Sequence, residues 1–325
     1  MSRRTPFVAT LVAMPVLLGG CGLGDSIVGL HPAPPETDGG ASVTQQTAKE
    51  LSLRLLGEAS EVRKEAKATT KERSQVFSGL ALRSAKASAK SKEKGSFSDG
   101  KDKKLQVLAV SRGSDWPRAV LATSRKGDTQ FLHAFVSDKA GAPYTLFADV
   151  PMAAGASVPA LPPVTEGTAV TVTKQPPKDV RNAIDAWATG VEYPAPAKPP
   201  AEVSFADAYS KALKKNAKAQ HKDLNKLSRY IQRQKVVEAS TVHFELADGG
   251  HLSFLPLTRT DTLNASKKLK VLKIEDERIS DLLGASKVSK ALSIQHVETV
   301  ALVTPPEGKA QVVGVRDVLH QVAGH

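Results

Sequence analysis

The single cysteine of this chain limits how its fold can be stabilised. Cys21 is the only cysteine among 325 residues, so no disulfide can link two parts of the chain. Small domains without a sufficient hydrophobic core often depend on such cross-links. The folded part of this chain must therefore be held together by buried apolar side chains.

The first residues have the layout of a secretory signal. Arg3 and Arg4 precede an uncharged and mainly apolar stretch from Thr5 to Gly20. A permanent transmembrane helix needs about 20 consecutive apolar residues, and this stretch is shorter. We therefore expect residues 1–20 to be a cleaved signal peptide rather than a membrane-spanning helix.

The signal ends in Leu18, Gly19, Gly20 and Cys21, a pattern that resembles the lipobox of bacterial lipoproteins. In a lipobox, small residues give the peptidase access to the backbone, and the cysteine thiol accepts diacylglycerol. The alternative is an ordinary cysteine in a signal that is cleaved elsewhere, which fits the flanking residues less well. We expect cleavage between Gly20 and Cys21, lipid on Cys21 and a location on the extracytoplasmic face of the cell membrane.

The charge of the chain narrows its partners. Residues 1–20 contain two of the 45 Lys and Arg and none of the 33 Asp and Glu, so the remaining chain has a net charge of +10. This charge favours contact with anionic lipid, anionic wall polymer or an acidic envelope protein. Nucleic acid is not expected, because export separates the protein from it and aromatic residues are only 5% of the chain.

Composition and periodicity divide the exported part into two units. Residues 21–42 are rich in proline and glycine and indicate a flexible tether. Residues 43–157 form the first expected unit, residues 158–202 a Pro/Ala-rich linker with a short helix, and residues 203–325 the second unit. Both units place helical periodicity before strand-like runs, which is typical of an α+β fold. We expect each unit to be a long helix packed on a curled antiparallel sheet.

The first unit is expected to begin with a helix from about 43 to 66, in which apolar residues recur every three or four positions. A second helix covers residues 76–82, and the Ala, Ser and Lys composition of 86–104 indicates an exposed loop or a frayed helix end. Strands are predicted at 105–110, 118–123, 130–136 and 144–150, with a hairpin turn at 126–128.

The linker and the second unit give a similar series of predicted elements. The linker contains a predicted strand at 169–172 and a helix at 180–188. A long basic helix is predicted over 205–231, and a short one over 278–283. Strands are predicted at 236–246, 252–257, 269–274, 294–303 and 311–315. Asp248-Gly249-Gly250 and Pro305-Pro306-Glu307-Gly308 predict the hairpin turns.

Several segments resemble a family of uncharacterised actinobacterial lipoproteins. They are Trp116–Thr123, Ala148–Pro151 and Ala247–Gly250, with further similarity at Phe131–Val136 and Val297–Val315. The resemblance covers about two thirds of the exported chain and implies tandem cystatin-like or SnoaL-like α+β units. It implies no activity, cofactor or catalytic residue.

Residues that could perform chemistry do not form a compact motif. His243, Glu245 and His251 are the best candidate for a metal site, because alternation and a hairpin turn could bring them together. Ordinary polar residues on a solvated sheet face are the preferred interpretation, and no metal is expected. No Gly-x-Ser-x-Gly pattern places a nucleophilic serine on a strained turn. We expect no catalytic residues and no cofactor.

Two other groups have structural as well as functional interpretations. Glu275, Asp276 and Glu277 lie among basic residues, which is typical of a mixed charged surface. Trp116 and Trp187 could line a binding site, but core anchors or contacts between units are the preferred interpretation.

Seven lysines between the second helix and the first strand are the candidate anionic-surface site. They are Lys86, Lys90, Lys92, Lys94, Lys101, Lys103 and Lys104, and are called the lysine set below. A solvated loop that only keeps the protein soluble is an equally good interpretation. In the functional interpretation, lysines near an anionic surface attract it over a short distance.

The sequence therefore favours a membrane-anchored extracytoplasmic lipoprotein that acts as a non-enzymatic binding or scaffolding module of the cell envelope. The alternative is a carrier of a small apolar ligand in a pocket between helix and sheet. An enzyme would require converging titratable groups in such a pocket, which the sequence does not predict.

Overall fold

The computed structural model describes residues 39–65, 67–93, 97–224, 227–267, 269 and 271–324. In this part of the chain there are six helices and thirteen strands. The helices are α1 (Gln45–Lys64), α2 (Thr70–Val76), α3 (Gly79–Ser91), α4 (Lys178–Gly190), α5 (Ala208–Leu224) and α6 (Glu277–Leu283). The strands of the first half are β1 (Gln106–Val110), β2 (Arg118–Lys126), β3 (Thr129–Ser137) and β4 (Thr145–Pro151). Those that follow are β5 (Val170–Thr173), β6 (Val203–Ser204), β7 (Ser228–Val236), β8 (Thr241–Glu245), β9 (His251–Ala265), β10 (Leu272–Lys273), β11 (Lys287–Val288), β12 (Ala291–Thr304) and β13 (Ala310–Gly324).

The first sheet is an antiparallel meander in the order β1-β2-β3-β4. One of its faces packs on α1, α2 and α3 through side chains such as Leu55, Val120 and Phe135. Helix α1 begins where the Thr44 hydroxyl accepts a hydrogen bond from the backbone N–H of Thr47. The apolar periodicity of the sequence therefore produces the expected helix, and its apolar stripe covers the sheet.

The second sheet has seven strands in the order β5-β8-β9-β12-β13-β6, with β7 paired to β9 beside β8. All of these pairings are antiparallel except the short one between β13 and β6. One face packs on α4 and α5 through residues that include Ile184, Trp187 and Leu255. The indole N–H of Trp187 donates to the Ser210 hydroxyl at 2.9 Å, which joins α4 to α5. Trp187 is thus a core anchor, as preferred from the sequence.

The remaining faces of the two sheets pack against each other. Leu121, Ala134 and Val150 of the first sheet share one core with Phe244 and Phe254 of the second. The order of layers is therefore helices, first sheet, second sheet, helices. An α+β architecture with mostly antiparallel sheets is confirmed.

Isolated bridges join the two sheets at both edges. Met152 pairs with Gly314 where β4 approaches β13, and Ser111 pairs with Thr168 just before β5. A Cβ atom at Gly314 would lie 2.6 Å from the carbonyl oxygen of Pro151, so glycine permits this close approach.

This packing differs from the expected pair of separate units joined by a linker. The described residues form one compact unit. The expected linker contributes β5 to the second sheet and α4 to its helical layer, where Val180 and Ile184 are fully buried. The proline content predicted an exposed spacer, but the apolar residues between the prolines bury against the sheet.

The expected loop or frayed helix end at 86–104 is helical as far as Ser91. Helix α3 contacts both sheets along one broad face, where small residues are buried, including Ala81, Ser84, Ala87 and Ser88. Alanine and serine allow a helix to approach two surfaces closely. The composition that indicated exposure from sequence is therefore that of a tightly packed helix.

The predicted helix over 205–231 was too long. Helix α5 ends at Leu224, and residues 228–236 form β7, in which Tyr230, Gln232 and Gln234 alternate with exposed basic residues. Strands β9, β12 and β13 are also longer than expected, with 15, 14 and 15 residues. They extend beyond the strands of the first sheet, the longest of which have 9 residues.

Candidate functional site

The structure describes some of the predicted site residues but not all of them. Leu18, Gly19, Gly20 and Cys21 lie outside the described residues, as does Lys94. The other six members of the lysine set are exposed. Lys86 and Lys90 lie on α3, Lys92 follows that helix, and the rest lie before β1.

Five of these six lysines have no ion-pair partner among the described residues, while Lys92 lies 3.0 Å from Asp281. The segment after α3 is held against the first sheet. Lys126 donates to the carbonyl oxygen of Phe97, and the backbone N–H of Arg125 donates to Asp102. Positive φ at Gly100 lets this segment approach α1, where a Cβ atom would lie 2.5 Å from the Leu53 carbonyl oxygen.

The histidine group that was weighed as a metal site lies on one hairpin, where Glu245 is opposite His251 and His243 is opposite Ser253. Nε2 of His243 lies 2.7 Å from the Thr241 hydroxyl, and Nδ1 lies 2.8 Å from the Ser253 hydroxyl. Burial and the nearby His251 lower the pKa of His243 to about 4. Both ring nitrogens of this neutral imidazole are therefore occupied by the protein, whereas Glu245 points to solvent. Among the described residues, no group of three potential ligands could hold a metal ion.

The acidic run at 275–277 has a local structural role. The Asp276 side chain accepts from the backbone N–H groups of Arg278 and Ile279 and so caps α6. Its hydrogen bond with the Arg278 side chain lowers the pKa of Asp276.

A serine, a histidine and an aspartate form a chain of contacts on the helix-facing side of the first sheet. The Ser124 hydroxyl lies 2.8 Å from Nε2 of His133, and Nδ1 of His133 lies 3.3 Å from Oδ1 of Asp149. No sequence motif predicted this arrangement, although the hairpin turn at 126–128 sets Ser124 and His133 on one face of adjacent strands. Asp149 comes from a third strand, so only the fold brings it close.

This group, called the Asp149 cluster, also contains two arginines. Oδ2 of Asp149 lies 2.8 Å from Arg63 and 3.3 Å from Arg316. Burial alone would raise the pKa of Asp149, but the charges of Arg316 and Arg63 hold it well below its usual range. Burial lowers the pKa of Arg63 to about 10. Both guanidinium groups stack on Phe97, at 4.0 and 4.3 Å from the ring centre.

The Asp149 cluster is closed to solvent. His133 is fully buried, and Ser124 and Asp149 are 3% and 4% exposed. A serine nucleophile needs a substrate carbonyl beside it and donors for the oxyanion. The neighbours of Ser124 are instead His133 and the Ser98 hydroxyl, at 2.8 and 2.9 Å. In the described conformation, the cluster links the two sheets, because Arg63 and Arg316 reach it from different layers.

A second cluster surrounds Arg259 on the helix-facing side of the second sheet. Its guanidinium lies 3.1 Å from Glu298, 2.6 Å from Asp317 and 3.1 Å from Asp261. The hydroxyl of Tyr209 donates to Glu298, and that of Tyr230 donates to Asp261. This set is called the Arg259 cluster.

Two of the carboxyl groups beside Arg259, those of Glu298 and Asp317, have pKa values shifted in opposite directions. Burial and the charge of Asp317 raise the pKa of Glu298 to about 7. Asp317 is 24% exposed, and the charge of Arg259 and the contact with His296 at 2.7 Å hold its pKa well below its usual range. At neutral pH, Glu298 is therefore partly protonated, whereas Asp317 is ionised.

Shallow clefts lie at the surface of the described structure. One cleft of about 360 Å³ lies at the connection between β7 and β8. It is lined by residues that include the charged Lys174, Arg181 and Glu238. Another of about 380 Å³ lies beside Val271, Leu283 and Val288. No helix among the described residues is both long and apolar enough to cross a membrane.

Comparison with known proteins identifies no relative. No protein family model matches the chain, and no similar curated protein or solved structure was found.

Proposed function

We propose that this chain is a membrane-anchored extracytoplasmic lipoprotein that binds an anionic component of the cell envelope without catalysing a reaction. Lipid on Cys21 would attach it to the membrane. The observation that carries the proposal is that five exposed lysines of the lysine set lack ion-pair partners in the described part of the chain: Lys86, Lys90, Lys101, Lys103 and Lys104. Unpaired cations on an exported chain with a net charge of +10 favour an anionic partner.

Two features of the protein interior favour a binding module over an enzyme or a carrier of a small apolar ligand. The serine, histidine and aspartate that could act together are buried in the Asp149 cluster, away from any substrate. The carrier alternative needs an apolar pocket of several hundred Å³ between helix and sheet. In the described structure, Phe135, Trp187 and other side chains fill these interfaces.

The expected tandem organisation also belongs to this proposal. Each half places helices before an antiparallel meander, β1 to β4 in the first half and β7/β8, β9, β12 and β13 in the second. We infer two cystatin-like repeats that have merged through the faces of their sheets, in agreement with the resemblance to actinobacterial lipoproteins.

A direct test uses soluble protein that begins after Cys21. It should bind vesicles rich in anionic lipid or an anionic wall polymer at low salt and should dissociate as salt rises, because the Debye length shortens to about 8 Å at physiological ionic strength. Replacing the five unpaired lysines of the lysine set with glutamine should remove most of this binding. The matched control replaces five exposed lysines on α4 and α5: Lys178, Lys211, Lys215, Lys218 and Lys222.

Equal loss of binding in the two variants would show that only net charge matters. Binding that does not respond to salt, or absence of binding by the parent protein, would rule out the proposed function.

A further inference from the structure

The second sheet has an exposed region that the first sheet does not cover. Directly opposite residues in β7, β9 and β12 point to the same side, for example Arg233, Thr260 and Gln295. This is the side on which α3 packs, since Arg83 of α3 donates to the Thr258 hydroxyl at 2.7 Å. We call the exposed region the overhang face, and it contains Arg229, Arg233, Lys235, Thr260, Thr262 and Gln295.

Charge is separated between the two sides of these strands. The acidic residues of the extended parts of β9, β12 and β13 are Asp261, Glu298 and Asp317, and all three lie on the opposite side in the Arg259 cluster. The charged residues on the overhang face are basic and exposed. The acidic groups of these strand segments thus lie inside, where they pair with Arg259, and the overhang face carries only positive charge.

Acidic groups on neighbouring elements leave most of this positive charge uncompensated. Arg233 lies 3.5 Å from Glu192, whereas Arg229 and Lys235 have no ion-pair partner in the described part of the chain. At the border with α3, burial and the charges of Lys90 and Arg83 lower the pKa of His320. Basic residues therefore flank the overhang face at β7 and at α3, with the neutral Thr260, Thr262 and Gln295 between them.

In the middle of the overhang face, β9 presents hydroxyl groups that can form hydrogen bonds. Thr260 and Thr262 are half-buried, and their hydroxyls have no hydrogen-bond partner among the described residues. The cations on β7 form a line, because residues 229 to 235 of an extended strand span about 20 Å. The overhang face has no aromatic residue for bases to stack on, since Tyr230 points to the opposite side and Phe254 is buried under the first sheet.

We propose that the overhang face binds an extended polyanion whose units carry hydroxyl groups, such as an acidic polysaccharide or a polyol phosphate. Arginine and lysine would pair with the anionic groups, and the threonine hydroxyls would bond to the sugar or polyol. A membrane is a poorer partner, because the face lacks large apolar side chains other than Ile231 that could insert into lipid. The inference rests on the proposed function, extends the binding surface from the lysine set on and after α3 to the adjacent overhang face, and names the chemistry of the ligand.

The test measures binding of the soluble protein to a polyuronate, a polyol phosphate chain and inorganic polyphosphate, which has no hydroxyl-bearing units. The triple variant Arg229→Gln, Arg233→Gln and Lys235→Gln should bind all three polymers about 100-fold more weakly, since each cation contributes about a fivefold effect. The control triple Lys211→Gln, Lys215→Gln and Lys218→Gln has the same charge change on α5 and should retain most of the binding. Circular dichroism and thermal unfolding would verify that both variants are folded.

A second variant isolates the hydroxyl contacts. Thr260→Val with Thr262→Val keeps the side-chain shape and should weaken binding of the polyuronate and the polyol phosphate by about fivefold or more, since each lost bond is worth about 1 kcal/mol. Binding of inorganic polyphosphate should not change. Equal effects on all three polymers would contradict direct recognition of hydroxyl groups.

The outcomes separate this inference from the proposed function. If the parent binds anionic polymers and the β7 triple variant binds equally well, the overhang face is not the site, although the proposed function stands. Tighter binding to anionic vesicles or single-stranded DNA than to the hydroxylated polymers would overturn the choice of ligand. A parent that binds no anionic ligand would contradict both.

Discussion

Replacing Asp149 with asparagine should be among the most damaging conservative substitutions in this protein. The side chain keeps its size but loses the charge that lies between Arg63 and Arg316, at 2.8 and 3.3 Å. His133 cannot replace that charge, because its imidazole would add a positive charge if protonated. The variant would therefore leave two buried guanidinium groups without a carboxylate.

The expected loss of stability in Asp149→Asn is large because Asp149 and the guanidinium groups of its arginine partners are buried. Asp149 is 4% exposed and Arg316 5%, so water cannot take over the lost interaction. Removing one partner of a buried ion pair typically costs about 3–5 kcal/mol, compared with a total stability of about 5–15 kcal/mol for a folded domain. Asp149→Asn should accordingly lose a large part of the free energy of unfolding.

The assay is urea denaturation of the soluble protein, followed by far-UV circular dichroism at pH 7. A matched control is Asp281→Asn, which removes a carboxylate that pairs with Lys92 at 3.0 Å and is 58% exposed. Exposed pairs contribute about 0–1 kcal/mol, so the control should unfold almost like the parent. A cost below about 1 kcal/mol for Asp149→Asn would refute the argument that this carboxylate compensates two buried arginines.

The pH dependence gives an independent check on the same reasoning. The pKa of Asp149 is depressed in the folded protein, so its stabilisation is complete above the unfolded value near 4 and is lost as pH falls through the folded value. The difference between the parent and Asp149→Asn should be constant from pH 5 to 7. It should narrow as the solution is acidified below about pH 4.

Other expected outcomes follow from the same structure. Ala87→Leu should cost about 1–3 kcal/mol in urea unfolding, because Ala87 packs fully buried against Val297 and Val318, whereas Ala89→Leu on the exposed side of α3 should be tolerated. Glu298→Gln should stabilise the protein by up to about 3 kcal/mol at pH 8 but little at pH 5. The reason is that a raised pKa makes the parent lose stability as pH rises from about 4.5 to 7, and unchanged urea midpoints at both pH values would contradict it. Cys21→Ser should release the protein from membranes or leave an uncleaved precursor, and a processed form that stays with the membrane fraction would argue against lipid attachment.

Sequence periodicity predicted the type and order of many elements because local patterns determine them. The 45–64 helix, the meander from β1 to β4 and the 178–190 helix all lie close to their predicted positions. Their apolar residues recur with a single clear period, and glycines with positive φ, such as Gly127 and Gly249, end the strands where turns were predicted.

The predictions of α3 and β7 were wrong because tertiary packing, rather than local composition, determines which of their residues are buried. Alanine and serine in α3 indicated an exposed segment, yet contact with two sheets requires small side chains there. In β7, the buried positions are occupied by Tyr230, Gln232 and Gln234, so the apolar alternation typical of a strand was missing. Their partners, such as Asp261 and the carbonyl oxygen of Val191, come from distant parts of the chain.

The two charge clusters were unpredictable for a related reason. Arg316 and Asp149 are 167 residues apart, and nothing in their local sequences distinguishes them from surface residues. A buried arginine is tolerable only when carboxylates satisfy it, and that condition depends on packing between layers. The candidate lysine set required no such knowledge, because exposure of lysine is the usual outcome.

The shared core has a consequence for how the protein unfolds. Phe244 and Phe254 of the second sheet lie in the same cluster as Leu121 and Ala134 of the first, so loss of either sheet would expose the inner face of the other. Two separate units would unfold in two transitions, whereas a common core favours a single one. In a Trp116→Phe variant, fluorescence reports only the buried Trp187 beside the second sheet, while circular dichroism reports all helices. The two signals should change at the same urea concentration. A midpoint for Trp187 fluorescence that differs from that of circular dichroism would show that the halves fold independently despite their common core.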